Sequence, residues 1–296
     1  MDHRYHAAII GGSYAGMSAA LQLARARRRI VVIDAGQRRN RYAATSHGFL
    51  GNDGGAPDAI AAHARAQLLA YPNVDWIDGC VTHAQATAGG FALQLQHGAP
   101  LAARRLVLAV GVVDTLPAID GVAERWGRSV FHCPYCHGYE LDEGRIGVLA
   151  SSELAMHHAL MLPDWGTVTL FLNASFMPDA AQAQSLAQRG VTVETAPVRR
   201  IVDAATVELA DGRALVMDGL FAAPKTAVTG TLARQLGCAF DDGPLGAYLR
   251  TDAMKATSVA GVFACGDAAR AAGNVALAVG DGAMAGAAAH QSLLVG

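Results

Sequence analysis

"HAAIIGGSYAGMSAALQLARARRRIVVIDAG", residues 6–36, is the stretch that decides the fold. An apolar run ends in paired glycines, a periodic segment follows, and a β-branched run closes on an acid. The order is strand, tight glycine turn, helix, strand, the opening unit of a dinucleotide-binding fold. A helix is predicted from about Ala15 to Arg28, with "RARRR" (25–29) closing it, since cations suit a helix C-terminus. Gly11 lets the chain turn out of the strand, and Gly16 lets the helix pack close to the sheet. Asp34 stands 23 residues after Gly11, where such a fold needs a carboxylate to accept ribose hydroxyls. A pyrophosphate would lie on the helix N-terminus, where unpaired N–H groups and the dipole favour an anion. One departure stands out. In Gly11-Gly12-Ser13-Tyr14-Ala15-Gly16 the middle glycine of the fingerprint is a serine, small enough to permit close approach of a phosphate.

The far end of the chain supplies a second half. "TSVAGVFACGDAARAAGNVALAVGDGAMAGAAAH" (257–290) reads as a strand ending in Gly266-Asp267, then a long Ala-rich helix. It resembles the second FAD signature of flavoproteins with two dinucleotide folds. The resemblance implies that Asp267 holds the ribityl or phosphate portion of FAD. It also implies that the following helix aims its positive end at the flavin pyrimidine, stabilising the anionic reduced flavin. Between these halves, "RRLVLAVGVVDTLP" (104–117) is another strand with a glycine turn.

Together these motifs resemble the low-molecular-weight thioredoxin reductase family over essentially the whole chain. That resemblance implies an α/β fold of two Rossmann-like, three-layer ββα dinucleotide-binding domains, the second one degenerate. The expected segments are 1–112 and 226–296 for the FAD domain and 113–225 for an insert. The loop "SHGFLGNDGG" (46–55) is similar to the one that runs along the flavin, and "GGFALQLQHG" (89–98) reads as a β-hairpin arm. By the same resemblance the FAD contacts extend to Ala35, Gly36, Arg41, Gly48, Asp53, Val81, Ala109, Gly111, Val275 and Ala276.

Composition narrows the classes further. The 296 residues suit about two domains, and with 52% hydrophobic and 16% charged residues there is ample material for a core. A net charge of −2 and the lack of a basic patch beyond "RARRR" argue against nucleic acid. No apolar run reaches the ~20 residues of a membrane span. The polar "MDHRYH" leads straight into a strand, so no signal peptide is expected and a cytoplasmic site is. Five cysteines, an odd number, argue against a disulfide framework. Cys80, Cys238 and Cys265 read as small buried apolar residues.

The remaining pair lies in "FHCPYCHGYE" (131–140), where Cys133 and Cys136 are flanked by His132 and His137. Taken bare, the string allows half a zinc site, a c-type haem attachment or a redox dithiol. Zinc wants four ligands, and no partner pair exists. Covalent haem calls for export and an axial ligand. A dithiol beside a flavin fits the rest of the chain. By resemblance, Cys136 faces the flavin C4a as a charge-transfer thiolate, and Cys133 forms the mixed disulfide with substrate. Thioredoxin reductases follow the second cysteine with an acidic aspartate; here His137 takes that place. A histidine titrating near neutrality can accept a thiol proton and then stabilise the thiolate. His132 is a candidate assistant or a turn residue, and Tyr135 a shield for the dithiol.

Relatives that use NADPH carry a second glycine turn in the insert. After the strand "RIGVLA" (145–150), this chain has Ala150-Ser151-Ser152-Glu153-Leu154-Ala155 instead, with Glu153 where a phosphate would go. After "TVTLFL" (167–172) comes Asn173, with no Arg or Lys until Arg189. NADPH is therefore not expected to bind productively. The logic then resembles that of FAD-dependent dithiol oxidases that close disulfides in gliotoxin-, holomycin- and romidepsin-type natural products, which are soluble homodimers. The expected substrate is a small-molecule dithiol. The rivals are a reductase fed by NADPH, ferredoxin or another flavin, and a flavin-bound redox sensor.

Overall fold

The computed structural model describes residues 5–294. In chain order, the first run comprises β1 (Tyr5–Ile10), α1 (Tyr14–Arg25), β2 (Ile30–Asp34), α2 (Pro57–Leu69) and β3 (Val74–Asp78). It continues through β4 (Val81–Thr87), β5 (Gly90–Leu95) and β6 (Leu101–Leu108). The insert then runs from β7 (Val112–Thr115) through α3 (Val122–Arg125), β8 (Val130–Phe131), α4 (Pro134–His137), β9 (Glu143–Leu149), α5 (Ala155–Met161) and β10 (Gly166–Phe171). It closes with α6 (Ala180–Gln188), β11 (Thr192–Glu194), β12 (Val198–Val202), β13 (Thr206–Leu209), β14 (Ala214–Val216) and β15 (Gly219–Ala222). The return holds β16 (Lys225–Val228), α7 (Leu232–Gln235), β17 (Phe240–Asp241), β18 (Tyr248–Leu249), β19 (Val262–Ala264) and α8 (Val275–Ser292).

Two compact units result. The first comprises residues up to Arg41, Pro57–Val113 and the segment from Thr226 onward; the second is Tyr42–Ala56 with Asp114–Lys225. The 42–56 loop thus groups with the insert rather than with the first segment, where the sequence reading placed it. The reason is local: an added Cβ at Gly127 would meet Tyr42 at 2.9 Å, and His47 pairs with Glu140.

In the first unit the sheet order is β3-β2-β1-β6-β5-β4. β1, β2, β3 and β6 are parallel, as the βαβ reading requires. One edge of β6 is shared: its N-terminal half pairs antiparallel with β5, and its C-terminal half pairs parallel with β19. β4 and β5 form the hairpin arm expected around residues 89–98. β1 is buried on both faces, so it reads as a continuous apolar run rather than an alternating one. Ala7 and Ile9 join the core under α1 and α8, while Ala8 and Ile10 join the core on the opposite face, against Phe91 and Leu106.

Helix α1 stops at Arg25, three residues short of the expected Arg28. Arg27 takes a left-handed φ of 59°, its N–H bonds to the Ala24 carbonyl, and the Arg28 N–H reaches back to Leu23. That is a Schellman stop, which the charge pattern did not reveal. α1 and α8 pack closely because their facing residues are small. A Cβ at Gly282 would lie 2.1 Å from the Ala15 carbonyl oxygen, and one at Gly286 2.3 Å from that of Ala19.

The second unit repeats the scheme with a parallel sheet of order β11-β10-β9-β15-β8 and a small antiparallel sheet β12-β13-β14. Its two cores lie around Ile146, Val148 and Phe221 on one face and Leu149, Phe171 and Leu220 on the other. The expected α/β class of two Rossmann-like units is what the topology shows. Among the described residues no helix is long and apolar enough to cross a membrane.

Candidate active site

The candidate nucleotide cradle of the first unit is built from backbone. Gly11 has a φ of 102°, and a Cβ there would sit 2.2 Å from the Ala109 carbonyl oxygen, so the turn admits only glycine. Gly16 serves close approach to the turn as well as to the sheet end: its Cβ would lie 1.7 Å from the Gly11 carbonyl oxygen and 3.3 Å from the Ala109 Cβ just past β6. Ser13 is the N-cap of α1, and its side chain makes no capping hydrogen bond. The opening N–H groups of α1 are therefore left for an external anion. The Gly12 N–H donates to Asp34 Oδ1 at 2.9 Å, which orients this carboxylate while its second oxygen stays available. Ala35 and Gly36 continue the chain beyond it as exposed positions, and Tyr14 is buried with its hydroxyl on the Pro57 carbonyl.

The second signature also falls in this unit. Gly266 and Asp267 open a 3₁₀ turn after β19, and α8 begins at Val275 and Ala276 with Asn274 as its N-cap, bonded to the Leu277 N–H. Asp267 carries an ion pair the sequence reading missed, with Arg39 at 2.9 Å. Beyond it Arg270 and Lys255 both bind Asp281, which is 4% exposed on α8. Arg41, an expected contact, donates to the Arg38 carbonyl. Gly111 takes a φ of 67° at the exit from β6, and Val81 pairs with Leu95 at the start of the hairpin. Gly48 and Asp53 are the exceptions to the expected grouping: they fold together through a Gly48 N–H to Asp53 Oδ1 bond of 2.8 Å, in the loop that clusters with the second unit.

In the second unit Cys133 and Cys136 are joined as a disulfide. Cys133 caps α4, Pro134 fills its first position without needing a hydrogen bond, and Cys136 lies one turn on. His137 stacks on Phe131 with ring centroids 4.3 Å apart. Burial first, and the nearby His47 second, push its pKa from 6.5 to about 4. This corrects the expectation of titration near neutrality: an imidazole packed on a phenyl ring loses the solvation its cation needs. His132 sits edge-on to His158, a second buried histidine that the sequence did not single out. Burial, then His132 and His157, lower His158 to about 4 as well. Tyr135 is 70% exposed and leans edge-on against Trp165, so its ring faces solvent.

Cys238 and Cys265 are buried as expected, and burial drives the Cys265 thiol up to about 12. Cys80 is exposed, against expectation, because it lies in the tight turn after Gly79 at the sheet margin. Among the described residues no cluster of three or more His, Cys, Asp or Glu side chains could hold a metal ion.

The model of the pyridine nucleotide-disulphide oxidoreductases matches residues 5–284. The chain belongs to this family. It is therefore an oxidoreductase and an FAD flavoprotein, and its glycine cradle, its open helix N-terminus and Asp34 fit that cofactor. Within the family it is 35% identical over 305 residues to "Thioredoxin reductase tcpT" of Claviceps purpurea, covering 97% of this chain and 94% of that one. A crystal structure of an oxidoreductase from Agrobacterium tumefaciens is 57% identical, covers 98% of each chain and superposes with a TM-score of 0.96. The crystal structure of HlmI is 36% identical with a TM-score of 0.91, covering 99% of this chain and 94% of that one. The thioredoxin reductase-like character expected from the motifs is thus shown.

The turn after β9 is tied to the neighbouring elements by polar side chains. Glu153 is held by the Gln182 side chain, and Gln182 also completes a capping box with Asp179 at the start of α6. Asn173 accepts from the Val198 N–H, and Arg189 is paired with Asp164 at 2.7 Å.

Proposed function

We propose that this flavoprotein is a dithiol oxidase. It forms an intramolecular disulfide in a small natural-product dithiol through Cys133 and Cys136, and passes the electrons by way of FAD to oxygen or another acceptor. The observation that carries this reading is the state of the second nucleotide turn. Glu153 places a carboxylate beside the entry to α5, and Arg189, the first base after β10, is bound by Asp164. A nicotinamide dinucleotide phosphate finds repulsion where it needs cations, which favours the dithiol as the point of electron entry.

A substrate thiol gives its proton to a base, its sulfur bonds to Cys133 Sγ, and Cys136 leaves with the bonding pair as a thiolate. The second substrate thiol, also deprotonated, attacks the substrate sulfur of that mixed disulfide and releases Cys133. His137, neutral above a pH of about 4, is the base adjacent to Cys136. When bound, FAD supplies the two-electron acceptor that lets the cysteine pair close again. In sum the substrate loses two electrons and two protons. The acceptor gains them; with oxygen the product is hydrogen peroxide.

The name of the Claviceps relative favours a second reading, a disulfide reductase fed by NADPH, ferredoxin or another flavin. Anaerobic flavin bleaching separates the two. Excess dithiothreitol should bleach the protein, with colour returning in air, and NADPH should not. Rapid bleaching by NADPH would establish the reductase instead. Cys136→Ser should abolish bleaching by dithiol, and unchanged bleaching would break the assignment of the pair.

A further inference from the structure

Gly12 is a glycine for want of room rather than for a left-handed backbone. A Cβ there would lie 2.4 Å from Trp76 Cη2, 2.7 Å from Trp76 Cζ2 and 2.7 Å from Asp34 Cβ. Trp76 stands on β3, and the benzo edge of its indole fills the space a Gly12 side chain would need, beside the acid that ends β2. The ring is fixed from two other sides. The Arg65 guanidinium, from α2, lies over it at 4.3 Å, and its Nε1–H donates to Asp78 Oδ1 at 2.8 Å. Arg65 reaches the same Asp78 oxygen at 3.3 Å, which ties ring, cation and carboxylate together. Asp78 is the register partner of Asp34 across β2 and β3, and the Gly79 N–H donates to the Asp34 carbonyl at 2.8 Å.

We infer that Trp76 is a positioning residue for the nucleotide: its indole holds Gly12 in place and, through the Gly12 N–H, aims the Asp34 carboxylate at the adenosine ribose. The inference rests on Asp34 as the ribose acceptor and gives Trp76 no contact with the cofactor. The Gly12 N–H occupies Asp34 Oδ1 at 2.9 Å, which leaves Oδ2 for a ribose hydroxyl. A carboxylate turns about two side-chain bonds unless something fixes it, and a partner already held in place binds its ligand more tightly. Without the indole, the Gly12 backbone can move into the vacated space and carry its N–H away from Asp34. The loss then falls on the ribose hydroxyl, while a phosphate on the N-terminus of α1 keeps its donors. Trp76 thereby sets how well the site tells a ribonucleotide from its 2′-deoxy analogue.

The full-length holoprotein is titrated with ADP and with 2′-deoxyADP, and displaced FAD is followed by the rise in its fluorescence. In the unsubstituted protein the deoxy compound should need about tenfold more, the discrimination that one charge-assisted hydrogen bond supplies. The ratio of the two midpoints does not depend on how tightly a given protein holds FAD, so general destabilisation leaves it unchanged. Trp76→Leu should bring the two midpoints together. Trp76→Phe, which keeps a ring on β3 but lacks the benzo edge that meets Gly12, should do the same where the leucine variant does not fold. Far-ultraviolet circular dichroism checks the fold of each. In an Asp34→Ala background, adding Trp76→Phe should change the ratio no further. A ratio still about tenfold in the folded Trp76 variants overturns the role of Trp76. Equal midpoints already in the unsubstituted protein would remove Asp34 as the ribose acceptor, and this inference with it, while the flavoprotein assignment stands.

Discussion

At the residue scale, the cofactor cradle depends on the absence of side chains. Gly16 illustrates this most sharply, because any β-carbon would overlap the Gly11 carbonyl oxygen, 1.7 Å away. That oxygen belongs to a turn already fixed against Ala109, so it cannot retreat. Gly16→Ala should therefore cost about 3 kcal/mol in urea unfolding and release FAD, read as a lower ratio of absorbance at the flavin band to that of the protein. Retention of full flavin with unchanged unfolding would show that the turn yields. His137 makes the complementary point. Its place directly after the second cysteine was legible, but its proton affinity was not, because burial, with His47 second, moves it to about 4.

At the scale of elements, the first unit depends on two helices meeting through small residues. α8 is rich in alanine, the best helix former, but Gly280, Gly282 and Gly286 interrupt it, and Gly costs up to ~1 kcal/mol against Ala in a helix interior. The close approach explains why it is tolerated: Gly286 lies against the Ala19 backbone and Ser18 donates to the Val279 carbonyl at 2.7 Å. Gly286→Val should force the helices apart, costing about 2 kcal/mol, or roughly 5 °C in Tm by thermal denaturation. An unchanged Tm would mean that α8 does not need this contact. Glycines in α8 could be counted from the sequence, but their partner on α1, some 260 residues away in the chain, could not.

At the scale of the whole molecule, buried histidines couple stability to pH. His137 and His158 are neutral in the folded protein above about 4, whereas an unfolded chain protonates histidine near 6.5. Between those values the unfolded state binds more protons. Stability is therefore fully present above 6.5 and declines as pH falls toward 4, by on the order of 3 kcal/mol per histidine. Melting temperatures measured between pH 7.5 and 4.5 should fall, and His158→Leu should flatten that slope. A slope unaffected by the substitution would assign the acid sensitivity to other groups.

The sequence by itself determined the fold class and the cofactor, and it marked the glycine turn and the cysteine pair. Each of these rests on local rules: a glycine turn between strand and helix, an acid ending the next strand, a cysteine pair one helical turn apart. What only the tertiary structure decided involves groups distant in the chain. The pairing of Arg39 with Asp267, the burial of His158, the seating of the 42–56 loop on the insert and the left-handed Arg27 that ends α1 carry no periodic or compositional mark. Solvation and charge depend on which surfaces are brought together, and a linear pattern does not encode that distance. So the sequence could name His137, while its proton affinity and its neighbour His47 were set by folding.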